Sequence, residues 1–184
     1  MEKETEVRFL EIDKDTLVAR LKELGAEDSG EQMLEEVIIY DKDLAWLMEK
    51  RFIRLRRSGN TTLITYKQHA ANPEDGAHEL EFEISDMDAA ADLLGEIGFS
   101  FQRRQQKKRH TLRLGEVTFD IDTWPRVPTY VEIEGPSMKI LKEAAEMIGL
   151  DWKNVVYEDA KDIIEKKYGI AVGTMRWFTF DRFE

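Results

Sequence analysis

The sequence predicts an α+β fold: an eight-stranded antiparallel β-barrel, closed or nearly closed, with helices packed outside. Three observations predict it. Eight segments of the 184-residue chain read as strands, most of them alternating charged with apolar residues at the period of two that a pleated strand imposes. Amphipathic helical segments interrupt these strands, and each needs an apolar sheet face to cover. The charge is also sorted by strand, acidic or basic, rather than mixed within strands. If the helices cover the apolar faces from outside, the charged faces are left lining the interior.

The first strand spans Glu4 to Glu11, with Glu4, Glu6 and Arg8 on one face and Thr5, Val7 and Phe9 on the other. Asp13 is placed to cap a helix over Lys14 to Leu24, which Gly25 stops. Gln32 to Tyr40 reads as the second strand, and Asp41 to Glu49 as a connection carrying a helical turn. Arg51 to Arg57 and Thr61 to Lys67 form a hairpin about Ser58-Gly59-Asn60. His69 to Gly76 is a polar loop, and Glu79 to Ile84 a strand alternating three glutamates with Leu80, Phe82 and Ile84. Asp86 or Asp88 caps a helix that ends near Gly98. Phe101 to Leu114 is a long basic strand, turned by Gly115 into Val117 to Asp122. After the stiff Trp124-to-Pro128 loop, Thr129 to Glu134 is the eighth strand. Gly135-Pro136-Ser137 opens a helix to Ile148, a last helix fits Glu158 to Lys167, and the aromatic tail Met175 to Phe183 packs on the body.

Composition bounds the function. With 42% hydrophobic and 35% charged residues, the chain is a folded globular protein, and its length suits one domain over 1–184. A net charge of −11 and a pI near 4.9 exclude a general binder of nucleic acid or anionic membrane. An anionic ligand must therefore meet a local basic patch or arrive with metal ions. There is no cysteine, which removes disulfides, thiolate zinc sites and thiol nucleophiles and fits a reducing cytosol. No signal peptide or long apolar run is present, so a cytoplasmic protein is expected.

The strand faces carry the chemistry. Arg54 and Arg56 share one face of the third strand, and Lys67 lies on the fourth. Glu79, Glu81 and Glu83 line the fifth, and Lys107, Arg109 and Arg113 the sixth. Asp120 and Asp122 follow on the seventh, and Glu132 and Glu134 on the eighth. The pattern leaves two readings open: a charged sheet face in bulk water, or a lumen whose partly desolvated charges need partners. The guest that suits the second is a polyphosphate with divalent metal. Arginine gives bidentate hydrogen bonds to phosphate, lysine a compact charge, and carboxylates hold Mg²⁺ or Mn²⁺. The scattered histidines read as surface or packing residues, and the tryptophans as packing. The basic run Arg103 to Arg109 is set against a strongly acidic whole.

Glu4-x-Glu6-x-Arg8 resembles the N-terminal Glu-x-Glu-x-Lys signature of the CYTH family, the triphosphate tunnel metalloenzymes. Tyr40-Asp41, Arg54 and Arg56, Lys67, the Glu79 to Glu83 strand, Lys107 and Arg109, Asp120 and Asp122, and Glu132 and Glu134 follow in the family's order. The resemblance implies an eight-stranded tunnel, dependence on Mg²⁺ or Mn²⁺, and chemistry on a small-molecule triphosphate, in a monomer or homodimer. It implies that Glu4, Glu6, Asp120, Glu132 and Glu134 hold metal, and strand parity adds Asp122. By the same resemblance Arg8, Arg54, Arg56, Lys67, Lys107 and Arg109 bind the phosphates, and Lys67 and Asp120 are catalytic; strand parity adds Glu81 as a further candidate. Two positions depart from the pattern: the signature lysine is Arg8, and Ile39 stands where thiamine triphosphatases have tyrosine.

The expected activity is metal-dependent hydrolysis of inorganic triphosphate, thiamine triphosphate or another organic triphosphate. Two alternatives use the same residues. One is a class IV adenylyl cyclase, making cyclic AMP and pyrophosphate from ATP. The other is a module that binds polyphosphate or nucleotide without turning it over. A carrier of apolar ligands would need an apolar lumen, which the strand parity denies.

Overall fold

The local signals select the elements much as their physics requires. The computed structural model describes residues 5–69 and 77–184, so Glu4 and the greater part of the expected loop, 70–76, lie outside the described residues. The strands are β1 (Thr5–Phe9), β2 (Glu27–Tyr40), β3 (Arg51–Ser58), β4 (Thr61–His69), β5 (Ala77–Glu83), β6 (Phe101–Leu114), β7 (Val117–Thr123), β8 (Tyr130–Gly135) and the short β9 (Trp177–Phe178). The helices are α1 (Lys14–Glu23), α2 (Ala45–Met48), α3 (Met87–Glu96), α4 (Met138–Met147) and α5 (Ala160–Asp162). Each longer helix starts where a short polar side chain takes a free backbone N–H. Asp13 accepts from Thr16, Asp86 from Asp88 and Ala89, and Ser137 from Ile140. Gly25, at φ 84°, supplies the left-handed residue that ends α1.

The chain divides into two compact units, and β2 and β6 run through both. The first comprises the described part of 1–32 with 107–173, the second that of 33–106 with 174–184.

In the first unit the strand order is β1-β8-β7-β6, all antiparallel. Its register stacks Val7 against Ile133, Ile133 against Phe119, and Phe119 against Leu112 on one face. Leu17 and Leu21 of α1, and Leu141, Ala144 and Ala145 of α4, cover that face and form one apolar core with it. Val7, Phe119, Ile133 and Leu141 are wholly buried, and each side chain so buried contributes roughly 1.5–3 kcal/mol. Since neighbours alternate across a strand, the opposite face carries Glu6, Arg8, Glu132, Glu134, Asp120, Asp122, Lys107 and Arg109.

In the second unit the order is β6-β2-β3-β4-β5, with β9 parallel to the start of β6. Val37, Ile39, Ile53 and Leu55 form its core with Met87 and Ala91 of α3. The other face carries Glu36, Arg54, Arg56, Thr65, Lys67 and Glu81. In each unit, then, helices cover the apolar face and leave the charged face opposite, as the parity predicts.

One expectation is met in part and two are corrected. The large sheet is present, but among the described residues its order ends at β1 and at β5, so closure into a barrel is not shown. On its outer side β1 is already engaged: Arg8 and Val156 exchange both backbone hydrogen bonds, each 2.9 Å. Next, β2 begins five residues earlier than expected, at Glu27 rather than Gln32. Its polar start has no alternation to read, but Asp28 accepts the Gly30 N–H and pairs with Lys22 and His110, contacts made by tertiary structure. Finally, the last helix starts at Ala160, two residues late, and passes into a π-helical turn at Ile163–Lys167. Among the described residues no helix is long and apolar enough to cross a membrane.

Candidate functional site

Each unit gathers its expected site residues on one sheet face, and the two faces differ in how far their cations are already used. In the first unit, antiparallel pairing sets Arg8 opposite Glu132, Glu132 opposite Asp120, and Asp122 opposite Arg109. Arg109 donates from Nε to Asp122 Oδ1 and from Nη2 to Asp122 Oδ2, both at 2.7 Å. Its Nη1 donates to Asp120 Oδ2 at 2.5 Å, and Nη2 also reaches Glu132 at 3.3 Å. Lys107 donates to Asp122 Oδ2 at 2.8 Å and lies 5.0 Å from the centre of the Trp124 ring. Arg8 is shared between Glu6 at 2.8 Å and Glu132 at 2.5 Å, and also donates to the Glu158 carbonyl. Thr111 donates to the second oxygen of Asp120.

The electrostatics follow from this crowding. Burial alone would raise the Asp122 carboxyl, but Lys107 and Arg109 outweigh it and hold it below the ordinary range. Glu132 is lowered likewise: burial opposes the charge, and Arg8, Arg109 and Lys107 overcome it. Burial works against the Arg8 guanidinium too, yet Glu132 and Glu6 keep its affinity for a proton above the usual value. The Tyr130 phenol is pushed well up by burial and by the charges of Asp122 and Glu132, so it stays neutral and accepts the Trp124 indole N–H at 3.0 Å.

Five carboxylates, Glu6, Asp120, Asp122, Glu132 and Glu134, share this face with four cations, Arg8, Lys107, Arg109 and the exposed Arg113. The charge excess and the all-oxygen donor set fit a hard divalent cation. Glu6 and Glu134 are register partners, and Glu6 is half-exposed. Among the described residues, however, no three acidic or imidazole groups converge as a ready-made metal site. Asp122 is fully buried and committed to Lys107 and Arg109, which makes it an anchor for those two cations.

The second unit is less neutralised. Arg56 Nε donates to Glu36 Oε1 at 2.7 Å, and no hydrogen bond engages its terminal nitrogens among the described residues. Arg54 is largely buried, with only a 3.4 Å contact from Nη2 to Thr65 and Glu81 at 3.8 Å. Its Nε is buried without a partner. Burial, and then the neighbouring Arg56, depress the Arg54 guanidinium below its ordinary value. Thr65 donates to Glu81 at 2.6 Å, and Lys67 pairs with Glu79 at 2.5 Å.

All the expected site residues except Glu4 are therefore placed on charged faces. Within the first unit Arg8, Lys107, Arg109, Asp120, Asp122 and Glu132 form one bonded cluster, with Glu6 attached through Arg8. Within the second, Arg54 joins Thr65 and Glu81, while Lys67 stands on Glu79. The basic run is dispersed: Arg103 is buried against Gln105, Arg104 pairs with Asp88, and Lys107 and Arg109 turn to carboxylates. Sequence reasoning missed Glu36, Gln105 and Thr111. Thr111 lies at the charged parity of β6 and was open to detection. Glu36 shares its parity with Ile38 and Tyr40, and nothing local marks its partner.

A family model described as the CYTH domain matches residues 2–168. Among solved structures, a conserved hypothetical protein from Pyrococcus furiosus is 24% identical, with a TM-score of 0.72 over 88% of this chain and 100% of that one. A candidate adenylate cyclase from Vibrio parahaemolyticus is 17% identical, with a TM-score of 0.73 over 88% and 97%. The protein HpAC1 from Hippeastrum, described as having a dominant triphosphatase activity, is 12% identical, with a TM-score of 0.61 over 91% and 96%. At these identities the likeness is one of fold. No curated protein matches the chain.

Proposed function

The chain belongs to the CYTH family, and from that premise we propose that it is a divalent-metal-dependent hydrolase of a small-molecule triphosphate, inorganic or organic. The observation that carries the reading is in the second unit. Two guanidinium groups are sunk into one strand face with their terminal nitrogens scarcely used by the protein. A desolvated cation without a full set of acceptors is costly alone, and an oxyanion is the partner that relieves it.

Arg54 and Arg56 are assigned to the phosphates on this basis, and Lys67, Arg8, Lys107 and Arg109 by the family pattern. Glu6 and Glu134, with Glu132 and Glu4, would hold Mg²⁺ or Mn²⁺, which neutralises charge on the phosphate oxygens when bound. Lys67 stabilises the phosphoryl group being transferred. Asp120 accepts a hydrogen bond from the attacking water and orients it in line with the terminal phosphorus. The new oxygen–phosphorus bond forms as the bridging bond breaks, the leaving phosphate keeps the electron pair, and the water proton passes through Asp120 to solvent. Asp122 acts indirectly, by fixing Arg109 and Lys107.

The deciding experiment is incubation with inorganic triphosphate, thiamine triphosphate and ATP, each with Mg²⁺ or Mn²⁺, and identification of the products. Free phosphate is expected, and replacing both Glu132 and Glu134 by Gln abolishes its release. Cyclic AMP with pyrophosphate as the main product from ATP would replace this reading by a cyclase. Binding of tripolyphosphate without turnover under any condition would leave a binding module.

A further inference from the structure

Arg56 is hydrogen-bonded through Nε to a buried acid, Glu36. We propose that Glu36 is the positioning residue for Arg56: it holds the guanidinium by Nε so that both terminal nitrogens are presented to a phosphate group. This rests on the triphosphate reading above.

Glu36 and Arg56 are register partners across β2 and β3, and the carboxylate takes the Nε proton at 2.7 Å. The carboxylate is itself fixed. Gln105 Nε2 donates to Glu36 Oε2 at 2.6 Å, and Gln105 Oε1 accepts from Arg103 Nε at 2.9 Å. Glu36, Gln105 and Arg103 are 4%, 7% and 4% exposed, so their rotamers are set by packing as well as by hydrogen bonds.

The mode of contact separates positioning from ordinary ion pairing. Arg109 meets Asp122 through Nε and Nη2 together, the forked pairing that uses the guanidinium for stability. Arg56 gives Glu36 only its Nε, and among the described residues Nη1 and Nη2 have no hydrogen-bond partner. The edge left over is the one that matches two phosphate oxygens. A carboxylate beside an anion site opposes the anion by its charge. What Glu36 supplies is orientation: a long side chain with several rotamers is reduced to one before the ligand arrives.

The test is a double-mutant cycle on the full chain, with tripolyphosphate as the probe. Affinity is read by calorimetry, and KM and kcat by phosphate release with Mg²⁺ or Mn²⁺. Glu36→Ala is expected to raise Kd and KM about tenfold, the size of a lost charge-assisted hydrogen bond, with kcat held within about threefold. Glu36→Gln, which keeps an acceptor for Nε, recovers most of that loss. The double variant Glu36→Ala with Arg56→Ala binds no more weakly than Arg56→Ala alone, because Glu36 acts through Arg56. Where Glu36→Ala does not fold, Gln105→Met loosens the same carboxylate and gives the same rise in KM. If Glu36→Ala binds as wild type, or weakens binding equally in the Arg56→Ala background, the positioning role is overturned and the triphosphate reading stands. A wild-type protein that neither binds nor hydrolyses tripolyphosphate overturns both.

Discussion

Arg54 and Arg109 are both buried arginines, and they have opposite relations to stability. Arg109 meets three carboxylates, so its desolvation is compensated within the protein. Arg54 has one long hydrogen bond and an unpartnered Nε, so its desolvation is compensated poorly. Replacing a poorly paired buried cation by an apolar side chain of similar size removes a cost instead of creating one. Arg54→Met is therefore expected to raise the urea midpoint, by roughly 1–2 kcal/mol of stability, while weakening tripolyphosphate binding in calorimetry. A lower midpoint would show that Arg54 is held better than its hydrogen bonds indicate. The residue scale is also where the sequence was most informative, because strand parity alone put Arg54, Arg56, Arg109, Asp120 and Glu132 on charged faces. It did not tell the saturated cations from the available ones, since that depends on partners from other strands.

At the scale of elements, helix starts and strand faces are local matters and were legible. Asp86 accepts from Asp88 and Ala89, and so sets the direction in which α3 delivers Met87 and Ala91 to the second unit's core. Asp86→Ala is expected to lower stability by about 1 kcal/mol in urea denaturation, with the native fold retained by circular dichroism. The start of β2 was not legible. Glu27 to Glu31 is polar throughout, and it is extended because Lys22, His110 and Lys14 hold Asp28 and Glu31 from elsewhere in the first unit. Nor was the engagement of β1 by Val156, since the residues after Trp152 carry no strand pattern, and a pair of backbone hydrogen bonds needs none.

For the molecule as a whole, the net charge of −11 conceals a first-unit cluster in which Asp122 and Glu132 are stabilised in the ionised form. Asp122 and Glu132 have folded values below their ordinary 3.8 and 4.5. The unfolded chain therefore takes up their protons first as pH falls. Their contribution to stability is complete above the ordinary values and is lost as pH drops through the lower folded ones. The urea midpoint is expected to be flat from neutrality down to about pH 5 and to fall steeply below about pH 4. Asp122→Asn should start lower at neutral pH, because it weakens the hold on Arg109 and Lys107, and should show a shallower acid limb. An unchanged acid limb would place the acid-sensitive carboxylates elsewhere.

The order of the strands along the chain, the apolar faces that the helices cover and the type of charge on each opposite face were determined by the sequence itself. These are properties of short segments, where a period of two or a capping side chain acts over a few residues. Tertiary structure decided which charges are spent on one another, how far β2 extends, that β1 is engaged by Val156, and that Glu36 holds Arg56 by a single nitrogen. Each of these depends on residues distant in the chain, and their energies arise only when packing removes water and brings the partners within hydrogen-bond reach.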